Sequence, residues 1–134
     1  MSIFAIGAAT FAWFIVAGIL FFNPITDKIY RSRDHQPGVR VLPPNPKSIG
    51  MILAAIVVQI ILWALVFHAV KGALPIDKLT RGLSFGLILI ATKMIPRDAD
   101  RILLSTYPSK RMAIEFVIGC VSMMVVGIVF GYLI

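Results

Sequence analysis

Apolar residues fall in four long runs, separated by stretches where charges and prolines gather. Residues 3–22 carry no charge, and neither do residues 49–70. Residues 112–134 hold one, Glu115, and a weaker fourth run covers about 76–96. A helix needs about 20 apolar residues to cross a hydrocarbon core, and three of the runs reach that length unaided. Local chemistry sets the boundaries. The first helix, about 3–22, stops at Asn23-Pro24, because proline disfavours helical geometry in the residue before it. The second, about 48–70, takes Ser48 as its N-cap and stops at Lys71-Gly72, where a cation sits well against the C-terminal dipole. The third starts at Pro75. Residues 82–96 alone would be about 22 Å long, short of the core, whereas Pro75 suits a first helical position and Asp77 a first turn. Pro96 marks its other end. A short interfacial helix capped by Asp98 follows, and the fourth spanning helix covers about 110–134. The expected fold is all-α, a four-helix transmembrane bundle formed by residues 1–134 as one integral membrane domain.

Composition agrees with the runs. The chain is 59% hydrophobic and 14% charged, with mean hydropathy +0.93, which excludes a soluble domain of this size. The first run lacks the basic start of a signal peptide and reads as a retained helix. Four prolines among residues 36–46 favour extended geometry along the membrane surface. The single cysteine, Cys120, lies within an apolar run and can form no intramolecular disulfide.

The net charge of +7 sets orientation. No basic helix or aromatic–basic surface lies outside the membrane, so a nucleic-acid partner is not expected. Lys28, Arg31, Arg33, Arg40 and Lys47 follow the first helix, and Lys93, Arg97, Arg101, Lys110 and Arg111 gather after the third. Only Lys71, Lys78 and Arg81 lie between the second and third, a bias of ten to three. The positive-inside rule places both basic regions in the cytoplasm of a bacterial inner membrane, with both termini outside. There Lys28, Arg31, Arg33, Arg40, Arg97, Arg101, Lys110 and Arg111 meet anionic lipid headgroups.

Within the spans, ionisable side chains pair or line a cavity. With Pro96 ending the third helix, Lys93 and Glu115 have similar depth, roughly 5 Å inside the same boundary by helical rise. They read first as an ion pair between antiparallel helices, with Glu115 bonded to Arg111, a proton or ion relay, or snorkelling to water as alternatives. Gln59, near the centre of the second helix, needs an interhelical hydrogen bond or a substrate contact. Gly82 and Gly86 form a GxxxG motif, and Glu115, Gly119 and Ser122 share a helix face, so these small residues are expected to bring the third and fourth helices together. Gly127 and Gly131 point away from Glu115 and are left for another helix or another subunit. His68 reads as an interfacial histidine, with pigment ligation as the alternative. Asp98 and Asp100 resemble a two-carboxylate metal motif but are explained by capping and orientation. No nucleophile, base and acid converge, and neither a catalytic residue nor a metal or cofactor is expected.

Ala12-Trp13-Phe14, Phe21-Phe22-Asn23-Pro24, Tyr107-Pro108 and Ile114-Glu115-Phe116-Val117-Ile118-Gly119 together resemble small bacterial four-helix membrane proteins of unknown function. The resemblance implies the fold and brings no site residues with it. Small multidrug transporters differ in carrying a glutamate within the first helix. The expected function is that of a non-catalytic accessory or structural subunit, which packs against another membrane protein or a second copy. The alternative is a small oligomeric transporter or channel for a proton, ion or small solute, with Glu115, Lys93 and Gln59 along the path.

Overall fold

A computed structural model describes residues 2–134. They form helices α1 (Ile3–Phe21), α2 (Pro24–Arg31), α3 (Pro46–Val70), α4 (Lys78–Leu89), α5 (Ile95–Leu104) and α6 (Ser109–Leu133), with no strand among the described residues. A 3₁₀ turn, Lys71–Ala73, extends α3, and a π turn, Ile90–Met94, joins α4 to α5. Four helical stretches, Ile3–Phe21, Pro46–Ala73, Lys78–Leu104 and Ser109–Leu133, are long and apolar enough to span a bilayer. The chain is an all-α integral membrane protein.

Side-chain caps differ from those read in the sequence. Asn23 ends α1 and also starts α2, accepting from the Ile25 amide at 3.0 Å with Pro24 in the first turn. The sequence reading had no helix there. Asn45, rather than Ser48, caps α3: its side chain accepts from the Ser48 amide at 2.9 Å, with Pro46 opening the helix. Pro75 lies outside α4, which starts at Lys78 after Asp77 accepts from the Thr80 amide at 2.8 Å.

Pro96 does not end the third span. Proline lacks an N–H, and its ring meets the carbonyl four residues back in an α-helix. The π turn directly before it widens the helix by one residue and relieves both problems, so the helix continues to Leu104. This moves Lys93 about 16 Å from the helix end by helical rise, near the middle of the span rather than at its edge. Asp98 accordingly is no cap. It is buried within α5, facing Arg97 at 2.8 Å.

Helices α4 and α6 make the closest approach, and glycine permits it. A Cβ added at Gly82 would stand 2.7 Å from the Gly127 carbonyl oxygen and 2.7 Å from Ile128 Cα. Gly127 faces Gly82 and Gly86, and Gly131 faces Lys78 and Gly82. The sequence leaves both for another helix or another subunit, but in the bundle they face α4. Gly119 and Ser122 do not meet Gly82. Gly119 lies against Met94, and Ser122 is fully buried. Away from the basic loops, Phe67 of α3, Phe85 of α4 and Phe130 of α6 form a buried aromatic layer with ring centroids 4.9–6.1 Å apart.

The two basic loops share one face of the bundle. Arg111 of α6 bonds Asp34 and the Tyr30 carbonyl, and Gly38 lies against Thr106 and Tyr107 with a positive φ of 84° that favours glycine.

Since the atoms facing Gly82 are backbone, Gly82→Ala is expected to lower stability by about 1–3 kcal/mol through overpacking. Gly18→Ala, where no atom lies within 4 Å, is expected to leave it unchanged. Thermal unfolding in detergent measures both. Equal midpoints for the two variants would contradict the packing described.

Candidate functional site

Polar side chains converge at the basic end of the bundle, around Glu115. Position 115 lies six residues into α6, close to the loops, so α2, α5 and the α5–α6 connection can all reach it. One carboxylate oxygen accepts from the Tyr30 hydroxyl at 2.6 Å and from the Tyr107 hydroxyl. The other accepts from Arg101 at 2.5 Å. Tyr107 also accepts from Arg111 Nε at 3.0 Å. Both guanidinium groups stack on the same phenols, Arg101 at 4.4 Å from the Tyr107 ring centroid and Arg111 at 3.7 Å from that of Tyr30. Arginine can do both at once because its charge is planar and delocalised. Asp34 completes the set through Arg111.

The sequence reading had Arg111 near Glu115 but not the two tyrosines or Arg101, which carry most of the bonding. Their only signal was Tyr107-Pro108 just before α6. Tyr30 was hidden because α2 was not recognised. Arg101 and Arg111 face side chains, whereas the reading assigned them to lipid headgroups. Arg31, also assigned to headgroups, is exposed and pairs with Asp27 at 2.7 Å, and Lys28, Arg40 and Lys110 are exposed on the same face. Arg33 and Arg97 are half-buried.

Lys93 forms no ion pair with Glu115. It lies in the π turn, about one helical turn deeper, since its neighbour Met94 packs on Gly119. Its ammonium donates to Gln59 Oε1 and stands 4.8 Å from the Trp63 ring centroid and 5.8 Å from that of Trp13. The two indoles are themselves in contact, with centroids 5.6 Å apart. Gln59 thus finds an interhelical partner, and that partner is the lysine. His68 is exposed at the far end of α3. No group of three or more His, Cys, Asp or Glu side chains gathers among the described residues.

Lys93 and Glu115 nonetheless line one cavity of about 290 Å³ between α1, α6 and the π turn, with Trp13, Phe21, Arg97 and Ser122 among its walls. The chemistry available around Glu115 is proton holding and anchoring rather than bond-making. Burial and then the hydrogen bond to Glu115 push the Tyr107 hydroxyl above its ordinary range, and the same causes push that of Tyr30 up much further. Both phenols therefore stay protonated as donors.

No protein-family model matches this chain, and no curated protein or solved structure does either.

Two outcomes follow from the cluster. Glu115→Gln leaves the Arg101 guanidinium facing a neutral amide, and breaking a buried pair in this way is expected to lower stability by about 3 kcal/mol. Chemical unfolding in detergent measures it, and a loss too small to resolve would refute the cluster's structural weight. The tyrosines add a pH dependence. Their folded-state pKa values are raised, so the folded protein holds protons that the unfolded chain releases from about pH 10. Stability is then fully present below that pH and falls as pH rises above it. The unfolding midpoint is expected to drop between pH 9 and pH 11, less steeply in Tyr30→Phe. A drop of the same slope in the variant would count against this assignment.

Proposed function

We propose that this protein is a non-catalytic subunit of a membrane complex, which holds its place by helix packing against another membrane protein or a second copy. The observation that carries the reading is how Glu115 and Lys93 are each enclosed by neighbouring side chains of the same bundle. Glu115 is held by two tyrosines and an arginine, and Lys93 by a glutamine and two indoles. Beyond them the core is Phe67, Phe85, Phe130 and Val126, all fully buried. An ion crossing the bundle would have to leave the polar half and traverse that aromatic layer, where nothing replaces its hydration.

Two features support a partner. Gly7 and Gly18 of α1 have no atom within 4 Å of an added Cβ, so another helix backbone can approach there closely. An apolar groove of about 390 Å³ runs beside Gly7 between α1 and α3, with Phe11, Phe14 and Leu53 in its walls. These open glycines take the role first given to Gly127 and Gly131. In this reading the basic face lies in the cytoplasm of a bacterial inner membrane and both termini lie outside, following the positive charge. Its exposed lysines and arginines meet anionic headgroups.

One observation favours a second reading, an oligomeric transporter. Lys93 is much deeper than its position before Pro96 implied, and a cation near mid-membrane often marks a solute path. The two readings separate experimentally. A photoreactive residue at Phe11 is expected to cross-link a discrete protein in native membranes, and Gly7→Leu to abolish that product while the purified protein stays folded. Proteoliposomes of the purified chain are expected to hold proton and potassium gradients. If they leak and Lys93→Met seals them, while Phe11 captures only lipid, the transporter reading replaces the subunit.

A further inference from the structure

The cavity beside Lys93 carries an unbalanced charge. Arg101 faces Glu115 at 2.5 Å, Arg97 faces Asp98 at 2.8 Å, and Arg111 faces Asp34. Among the described residues no carboxylate lies within ion-pair distance of Lys93. Gln59 and the two indoles satisfy its hydrogen bonding and polarise toward it, but none brings a negative charge. A cation at this depth calls for a counter-ion, because the surrounding hydrocarbon does not screen it.

Two further groups around the same cavity lack partners. Ser122 is fully buried, lines the cavity, and its hydroxyl makes no hydrogen bond. Arg97 also lines it, and its Nη2 is buried and unpaired although its Nε is held by Asp98, whose other oxygen, Oδ2, is likewise buried and unpaired but is not part of the cavity wall. Buried polar atoms are ordinarily bonded, so two orphan donors around one cavity, with a surplus cation, define what would complete it. That group is an acceptor with one negative charge. The Glu115 carboxylate on the same wall does not supply it, since its oxygens are already held by Tyr30, Tyr107 and Arg101. The rest of the wall is apolar, with Trp13, Phe21, Ile118 and Met123 offering a surface for hydrocarbon.

We infer that this cavity binds a monovalent oxyanion, a carboxylate or phosphate ester, between Lys93, Arg97 and Ser122. The apolar wall selects the head of an amphiphile over a free ion. The site stands apart from the subunit reading above and would hold in a transporter too. The aromatic layer beyond Met123 makes the anion a resident ligand.

Trp13 and Trp63 are the only tryptophans in the chain; both lie beside Lys93 and Trp13 lines the cavity, so their fluorescence reports binding there. The probes are a dibrominated stearate, its methyl ester and inorganic phosphate, each titrated into the detergent-solubilised protein. The stearate is expected to quench saturably, and the uncharged ester only by linear partitioning. Lys93→Gln is expected to weaken stearate binding at least tenfold. Ser122→Ala removes an unpaired hydroxyl without disturbing the fold and is expected to weaken it several-fold. If Lys93→Gln fails to fold, Ser122→Ala still decides. Phosphate that displaces the stearate and alone shifts the emission would support the oxyanion site and overturn the amphiphile as its source. Linear quenching by the stearate, matched by its ester and unchanged in Ser122→Ala, would overturn the site itself.

Discussion

The arrangement rests on the contact of two backbones. Helices α4 and α6 meet with no side chain between Gly82 and Gly127, and this approach fixes their rotation and height. Once Gly82 and Gly86 face Gly127, Phe85 and Phe130 are forced inward against Phe67. On the other side, Met94 falls on Gly119, and the π turn carries Lys93 toward α1 and α3. In a bilayer this contact has no hydrophobic drive, since lipid tails are as apolar as the helices. Its strength is dispersion at short range, which is why so small an addition as a methyl group matters there.

The two ends of the bundle are held by different forces. At the basic face, charge-assisted hydrogen bonds and cation–π stacking converge on Glu115. At the other end, phenylalanine rings pack on one another and glycine backbones meet with no polar side chain between them. Lys93 lies between the two regimes. It is close enough to the polar end to share a cavity with Glu115, yet it is held chiefly by rings. An ammonium suits that place because it is a compact charge that two indole faces and one amide can surround.

Much of this was legible in the residue pattern. Three of the four spans follow from apolar length alone, the remaining one also needs the start signals before Gly82, and the pairing of the last two helices follows from their glycines. The depth of Lys93 was not legible, because Pro96 normally ends a helix and only the π turn lets it continue. A helix ending at Pro96 would put Lys93 level with Glu115 and away from Gln59, whereas the continued helix puts it beside Gln59. Gly127 and Gly131 were misassigned for a related reason. Helical spacing gives the angle between Glu115 and Gly127 but not which neighbour stands at either angle. Tyr30 of the cluster comes from a short helix whose cap, Asn23, serves as a stop and a start at once, and Tyr107 from the connection before α6.

The charge-free character of α1 and of residues 49–70 in α3 bears on how the protein is made. They enter the bilayer before α6 has been synthesised, when none of the contacts with α6 exists. Their own apolar length must suffice to insert them, and residues 3–22 and 49–70 carry no charge that would oppose it. The costly groups, Lys93 and Glu115, arrive later, on the third and fourth spans. By then Gln59, Trp13, Trp63 and Tyr30 are already in place to receive them. The order of segments along the chain is thus an order of assembly, in which each buried charge enters a membrane that already contains partners for it.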